Sequence, residues 1–191
     1  MIKIYFVRHA EPVHSWKEDR TRPLSKEGET DSKAVTGFFS KIPINAFISS
    51  PYKRSVDTIK ESAEQFGMPI TTDERLRERQ QGAGYKNYDM IRKRWADFNY
   101  CEDGGETLNS VQKRNIEALH EILLKNDEMN IVIGTHGTAL STILNYYDSS
   151  FNIDSFFRII DFMPYILRID FEGVSFISKE EMLIIEKPYN P

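Results

Sequence analysis

One cysteine, Cys101, stands alone in 191 residues, so no internal disulfide can form and a reducing compartment is the expected setting. No stretch approaches the roughly 20 apolar residues of a membrane span. The opening run Met1 to Val7 meets Arg8-His9 too soon to serve as a signal-peptide core, so the expected location is the cytoplasm. An excess of positive charge is missing as well. The net charge is −4 and the isoelectric point is near 5.6, which argues against nucleic acid or an anionic membrane as a partner held by bulk charge. Metal and nucleotide signatures are absent: there is no His-Glu-x-x-His, no cysteine pair and no P-loop, and Gly82-x-Gly84 meets Asn87 where a third glycine is needed. Cys101 also lacks the arginine six positions on that a cysteine phosphatase loop uses, because position 107 is Thr107. No internal repeat or low-complexity tract interrupts the chain.

What is present is enough to build a core. With 40% hydrophobic and 12% aromatic residues, disorder is excluded, and the length fits one domain over 1–191. Residues 2–7 are apolar on both alternations, as in a strand covered on both faces. From Ser25, a suitable N-cap, to Ser40, Val35, Phe38 and Phe39 recur at helical spacing. Residues 45–49 read as a second strand. Ser50 and Pro51 then suit the cap and first turn of a helix whose stripe of Tyr52, Val56, Ile59, Ala63 and Phe66 ends at Gly67. Residues 76–105 lack clean periodicity, and 79–104 reads as a small cap-like excursion with a short helix around 88–98. A helix over 106–125, a strand over 131–135 and a helix opening at Gly137 follow, and 165–171 with 174–177 form a late hairpin. Strands alternating with helices predict a three-layer α/β/α sandwich with a mostly parallel central sheet, the hairpin adding antiparallel edge strands.

In such a sheet, ligands bind beyond the carboxyl ends of the strands. Arg8 and His9 directly follow the first strand, His136 directly follows the strand at 131–135, and Arg54 lies in the first turn of the helix after the second strand. Free helix N–H groups, two guanidinium groups and two imidazoles make a site for a doubly charged tetrahedral anion.

These residues carry a resemblance. Arg8-His9-Ala10-Glu11 resembles the Arg-His-Gly motif of the histidine phosphatase superfamily (phosphoglycerate mutase-like). The run from Ser49 to Thr58 is similar to its Ser-Pro-x-x-Arg-x-x-x-Thr block. Leu76-Arg77-Glu78-Arg79, Gly105-Glu106-Thr107 and Thr135-His136-Gly137 resemble three further blocks, in family order. The resemblance implies His9 as a nucleophile that becomes phosphohistidine. It implies Arg8, Arg54 and His136 around the phosphoryl group, with His136 also catalytic, and Glu78 as proton donor to the leaving oxygen. It departs at Ala10, which replaces a glycine, at 12–16, which holds no asparagine, and at Gln80 to Gly84, where an aromatic-rich stretch is usual.

The chemistry is consistent with those residue types. Phosphoryl transfer needs positioning and positive charge opposite the equatorial oxygens, which Arg8, Arg54 and His136 supply without a metal or cofactor. His9 must present one bare nitrogen, with the other held by a backbone hydrogen bond. Glu78 must hold a proton for the leaving alkoxide, through burial or bound phosphate charge, and can then activate water. The expected activity is a phosphatase acting on a small phosphorylated metabolite. The alternatives are a phosphoglycerate mutase, for which Lys17, Arg20, Arg22 and Arg92-Lys93-Arg94 offer extra cations, and a non-catalytic phospho-ligand binding domain. The bland readings make Arg92-Lys93-Arg94 a solvated helix face, His14 a loop residue and His120 a helix residue, while Arg114 with Glu106 reads equally as a brace for the site or as a helix surface pair. No oligomeric state is assigned.

Overall fold

The computed structural model describes residues 1–84, 87–127 and 129–188, so positions 85 and 86 of the 79–104 stretch lie outside the described residues. Six strands form one sheet in the order β3-β2-β4-β1-β5-β6. The strands are β1 (Ile2–Arg8), β2 (Ala46–Ser49), β3 (Ile70–Thr72), β4 (Asn130–Thr135), β5 (Phe162–Glu172) and β6 (Ser175–Glu186). The first four pair in parallel, and β5 and β6 run antiparallel. This is the expected α/β/α sandwich.

The alternation of β1 explains the layers. Ile4 and Phe6 face one apolar cluster, shared with helices α4 (Leu108–Lys125) and α5 (Gly137–Tyr147). Tyr5 and Val7 face a second, shared with α1 (Lys26–Phe39) and α2 (Lys53–Gln65). Both faces of β1 are buried, as parallel strands with helices on either side must be. Each fully buried Phe or Ile here contributes about 2 kcal/mol by removal from water. Ser25 caps α1 as expected, accepting from the Gly28 N–H at 2.9 Å. Gly67 closes α2 at φ +62°, a conformation that costs a residue with a Cβ.

Three boundaries differ from the sequence reading. First, α2 begins at Lys53, not at Pro51, with Tyr52 at the N-cap and no side-chain cap. Ser50 lies ahead of the cap, with its hydroxyl 2.7 Å from His136 Nε2 and accepting from the Tyr52 N–H at 3.2 Å. Second, β6 continues through Lys179-Glu180-Glu181 to Glu186. Its charged run faces water at the sheet edge and is tied by ion pairs such as Arg168–Glu180 and Arg158–Glu181, so hydrophobic alternation could not reveal it. Third, β3 and helix α6 (Ile153–Ile159) went unread. β3 is only three residues long, and α6 is opened by Asn152, which accepts from the Asp154 and Ser155 N–H groups. The helix α3 (Tyr88–Ala96) lies within the expected 88–98.

Candidate active site

β1 and β4 are neighbours in register, with Arg8 opposite Thr135, so His9 and His136 leave the sheet at the same edge. Their ring centroids are 5.3 Å apart. His9 Nδ1 lies 2.8 Å from the Ala10 carbonyl, and Arg54 Nε lies 3.1 Å from His9 Nε2. A carbonyl only accepts and a guanidinium only donates, so Nδ1 carries the hydrogen and Nε2 keeps its lone pair. The Ala10 backbone is fixed in turn, since its N–H donates to Thr58 Oγ1 at 3.0 Å. Ala10 is fully buried, so a small side chain fits where the family pattern has glycine.

Arg8 Nη1 donates to the Ile159 carbonyl at the end of α6, at 2.6 Å. Its guanidinium lies flat against α5, and a Cβ on Gly137 would stand 3.2 Å from Arg8 Cζ. Arg54 is buried, with Nη1 donating to the Asp19 carbonyl at 2.6 Å and paired with the Asp19 carboxylate at 3.2 Å. Asp19 also pairs with Arg22 at 3.0 Å, so it clasps the 11–24 loop over the site. His136 is fully buried, with Nε2 2.7 Å from Ser50 Oγ.

Burial, then the Arg54 and Arg8 charges, hold the His9 imidazole well below its ordinary pKa. Burial, then Arg54, does the same to His136. Both rings are therefore neutral at physiological pH. The sequence reading counted His136 as a source of positive charge; in the fold it is a neutral hydrogen-bonding group, because two cations beside a buried ring disfavour a third. Burial also lowers the Arg54 pKa, against the opposing pull of Asp19 and Glu78.

Glu78 sits across the pocket. Its carboxylate accepts from the Thr138 N–H at 3.0 Å and the Ala139 N–H at 3.1 Å, and from its neighbour Arg79 N–H at 2.8 Å. Free helix N–H groups were expected to face an anionic ligand, and at the start of α5 two of them are taken by Glu78. Arg114 holds the loop that carries Glu78, donating to the carbonyls of Arg75, Arg77 and Glu78 at 2.7, 2.6 and 3.1 Å. Glu106 fixes that guanidinium at 2.8 Å, so the pair is a brace and not a surface decoration.

The structure thus brings Arg8, His9, Arg54 and Glu78 to one pocket of about 130 Å³, with His136 directly behind. Arg22, Arg79, Arg94 and His14 also line it. Lys17 and Arg20 are exposed instead, and Arg20 pairs with Glu74. Within Arg92-Lys93-Arg94 the solvated-face reading holds for the first two only, since Arg94 is buried. The signal for Arg94 was its position three residues after buried Ile91 on α3. His14 departs from the plain loop reading by lining the pocket, whereas His120 is a half-buried helix residue against the Tyr147 hydroxyl at 3.2 Å. Asp19 and Glu102 carried no sequence signal. Among the described residues, no group of three or more His, Cys, Asp or Glu side chains is placed to share a metal ion.

An α/β/α sandwich with guanidinium groups and neutral imidazoles converging at the edge of its parallel strands defines a class: a protein with a cationic pocket suited to an anion. The sequence profile of the histidine phosphatase superfamily (branch 1) matches residues 4–172, and the chain belongs to that family. It is 28% identical over 150 residues to phosphoserine phosphatase 1 of Hydrogenobacter thermophilus, covering 71% of each chain. It is 23% identical over 167 residues to 2,3-bisphosphoglycerate-dependent phosphoglycerate mutase 2 of Gloeobacter violaceus, covering 78% of this chain and 76% of that one. Its fold resembles that of Bacillus stearothermophilus YhfR at a TM-score of 0.76 and 22% identity, over 99% of this chain and 98% of that one. No helix among the described residues is long and apolar enough to cross a membrane.

Proposed function

We propose that the protein is a metal-independent phosphatase that hydrolyses small phosphate monoesters through a phosphohistidine on His9. The observation that carries this reading is the tautomer of His9: hydrogen on Nδ1, spent on Ala10, and a lone pair on Nε2 beside the Arg54 guanidinium. In the first step Nε2 attacks phosphorus and the ester P–O bond breaks. Glu78, protonated in the substrate complex, gives its proton to the departing alkoxide oxygen. In the second step Glu78 takes a proton from water as that water attacks the phosphohistidine, and the P–N bond breaks to release phosphate and restore the ring. Arg8 and Arg54 face the equatorial oxygens, and His136 is a neutral hydrogen-bonding partner. The cap reading of the 79–104 stretch is supported by Arg79, Gln81, Ile91 and Arg94, which line the pocket.

The pocket's filled chemical positions weigh against a non-catalytic binding domain. The mutase reading is favoured by the mutase-named relatives, among them that of Gloeobacter violaceus matched over 78% of this chain and probable mutases matched over 76% of it. One assay separates the readings: 4-nitrophenyl phosphate and 3-phosphoglycerate are supplied with a chelator, with and without a bisphosphoglycerate primer. Free phosphate released from both, and lost by about 1000-fold or more in His9→Ala, is expected. An acid-labile phosphoryl label should form on the wild-type protein alone. Primer-dependent isomerisation without net hydrolysis would replace this reading by the mutase, and a His9→Ala rate equal to wild type would end both. Glu78→Gln should change the pH–rate profile, and an unchanged profile and rate would remove Glu78 from the scheme.

A further inference from the structure

The Nε2 lone pair of His9 has two calls on it. It accepts from Arg54 Nε at 3.1 Å, and attack on phosphorus needs the same electron pair, because an unprotonated imidazole nitrogen offers only one in the ring plane. This conformation therefore caps the nucleophile, and the proposed first step needs a second one in which the guanidinium has left Nε2. Asp19 holds Arg54 in the capping position. Arg54 Nη1 donates to the Asp19 carbonyl at 2.6 Å and is paired with its carboxylate at 3.2 Å. The same carboxylate oxygen, Oδ1, lies 3.0 Å from Arg22 Nη1 and is sealed from water. Arg22 and Arg54 both line the pocket, so one carboxylate engages two of the cations that a phosphoryl group would seek. Around Asp19 the chain is a strap bonded mainly to itself. Glu18 accepts from the Arg20 and Thr21 N–H groups, and Trp16 Nε1 donates to Thr21 Oγ1 at 3.1 Å. Its other ties to the body here are the Lys53 N–H on the Arg20 carbonyl at 2.9 Å and the exposed Arg20–Glu74 pair, which is worth little.

We propose that Asp19 is a latch on Arg54 that a phosphoryl dianion must displace. The guanidinium exchanges the Asp19 carboxylate and His9 Nε2 for phosphoryl oxygens, and that exchange uncaps the nucleophile as the substrate arrives. This rests on the phosphatase reading of the same pocket. Asp19 acts through Arg54 and is a positioning residue. A ligand shifts such an equilibrium only by binding one conformation better than the other. A phosphate dianion does so, because it offers the guanidinium twice the charge of a carboxylate and a pair of oxygens that fit its planar fork. A monoanion replaces one carboxylate by its equal and gains nothing from the exchange. The latch therefore makes double charge a condition of entry, and it keeps the Nε2 lone pair covered until that condition is met.

Calorimetric titration of inorganic phosphate into the wild-type protein and Asp19→Asn, at constant pH and ionic strength, reads the sign of the effect. A carboxylate that competes with the ligand opposes its binding, so removing the charge should tighten phosphate binding by about fivefold or more. A carboxylate that only orders Arg54 for the ligand would give the opposite sign. Equal or weaker affinity in a folded Asp19→Asn protein, or no phosphate binding by either protein, would overturn the latch. A second measurement needs no variant. Trypsin can cut the strap after Lys17 and Arg20, both exposed, but not after Arg22, which precedes Pro23. Saturating phosphate should speed those two cuts in the wild-type protein by about threefold or more, because Arg54 no longer holds the strap closed. Slowed or unchanged cutting would overturn the latch even if Asp19→Asn fails to fold. Hydrolysis of 4-nitrophenyl phosphate is followed alongside. Its absence in the wild-type protein would refute the phosphatase reading, while the phosphate affinities and the cutting rates still decide the latch.

Discussion

Acidification should unfold this protein in a way traceable to two rings. His9 and His136 are buried beside Arg54 and Arg8, and both are held well below the ordinary histidine pKa, by burial first and then by Arg54. In the unfolded chain each ring binds a proton near pH 6.5. In the fold neither does so until the pH is well below that value. Between those two points the unfolded state carries more protons, so stability falls as pH falls. At pH 5.5 an unfolded imidazole is mostly protonated, and linkage puts the loss on the order of 1 kcal/mol for each ring and about 3 kcal/mol for the pair. For a chain of this length that is a melting-temperature drop of about 7 °C, beyond what surface carboxylates contribute. The assay is thermal unfolding at pH 7.5 and 5.5, at constant ionic strength, for the wild-type protein and for a His9→Asn/His136→Asn double variant. Subtracting the two drops removes the carboxylates common to both proteins. If the double variant loses as much melting temperature on acidification as wild type, the rings are not the acid-sensitive groups and the reasoning fails.

Three other expectations follow from the same geometry. Arg114→Ala frees the three carbonyls that hold the Glu78 loop, so kcat should fall by about 10- to 100-fold, with about 2 kcal/mol of stability lost in chemical denaturation. Gly137→Ala places a methyl group 3.2 Å from Arg8 Cζ while the Ile159 carbonyl holds Arg8 from the other side. Its kcat/KM should drop by about tenfold with melting temperature little changed, and an unaltered kcat/KM would mean that Arg8 can move aside freely. Phe39→Ala empties a fully buried ring site between Tyr5 and Phe38, at about 3–5 kcal/mol by urea unfolding, with KM of the remaining folded protein preserved.

The layers were legible because β1 is apolar on both alternations and the helices announce themselves by caps and stripes, as at Ser25 and Gly67. His9, Arg54 and His136 could be placed together because each follows a strand end in a parallel sheet, so topology alone brings them to one edge. The tautomer of His9 was half legible: a backbone partner was foreseeable, but the Arg54 Nε contact depends on the rotamer of a buried side chain. Neutral His136 was not foreseeable, since it follows from how many guanidinium groups surround it in space. Asp19, Arg94 and Glu102 stayed hidden for a related reason. A charged residue in an irregular stretch reads as solvated, and only the fold shows that Arg94 points inward beside Ile91 and that Glu102 is buried beneath it. The continuation of β6 beyond Ile177 escaped because an edge strand has only half a core to signal with.

The pairing of Arg8 with Thr135 across adjacent parallel strands has a consequence for how such a protein can change. Deleting or adding one residue within either strand would turn its terminal side chain to the opposite side of the sheet and part the two imidazoles. The connections beyond the strand tips carry no such constraint. New clientele can therefore arise by lengthening or recoding 11–24 and 79–104, while the two central strands keep the reacting groups at a common height like marks on a ruler.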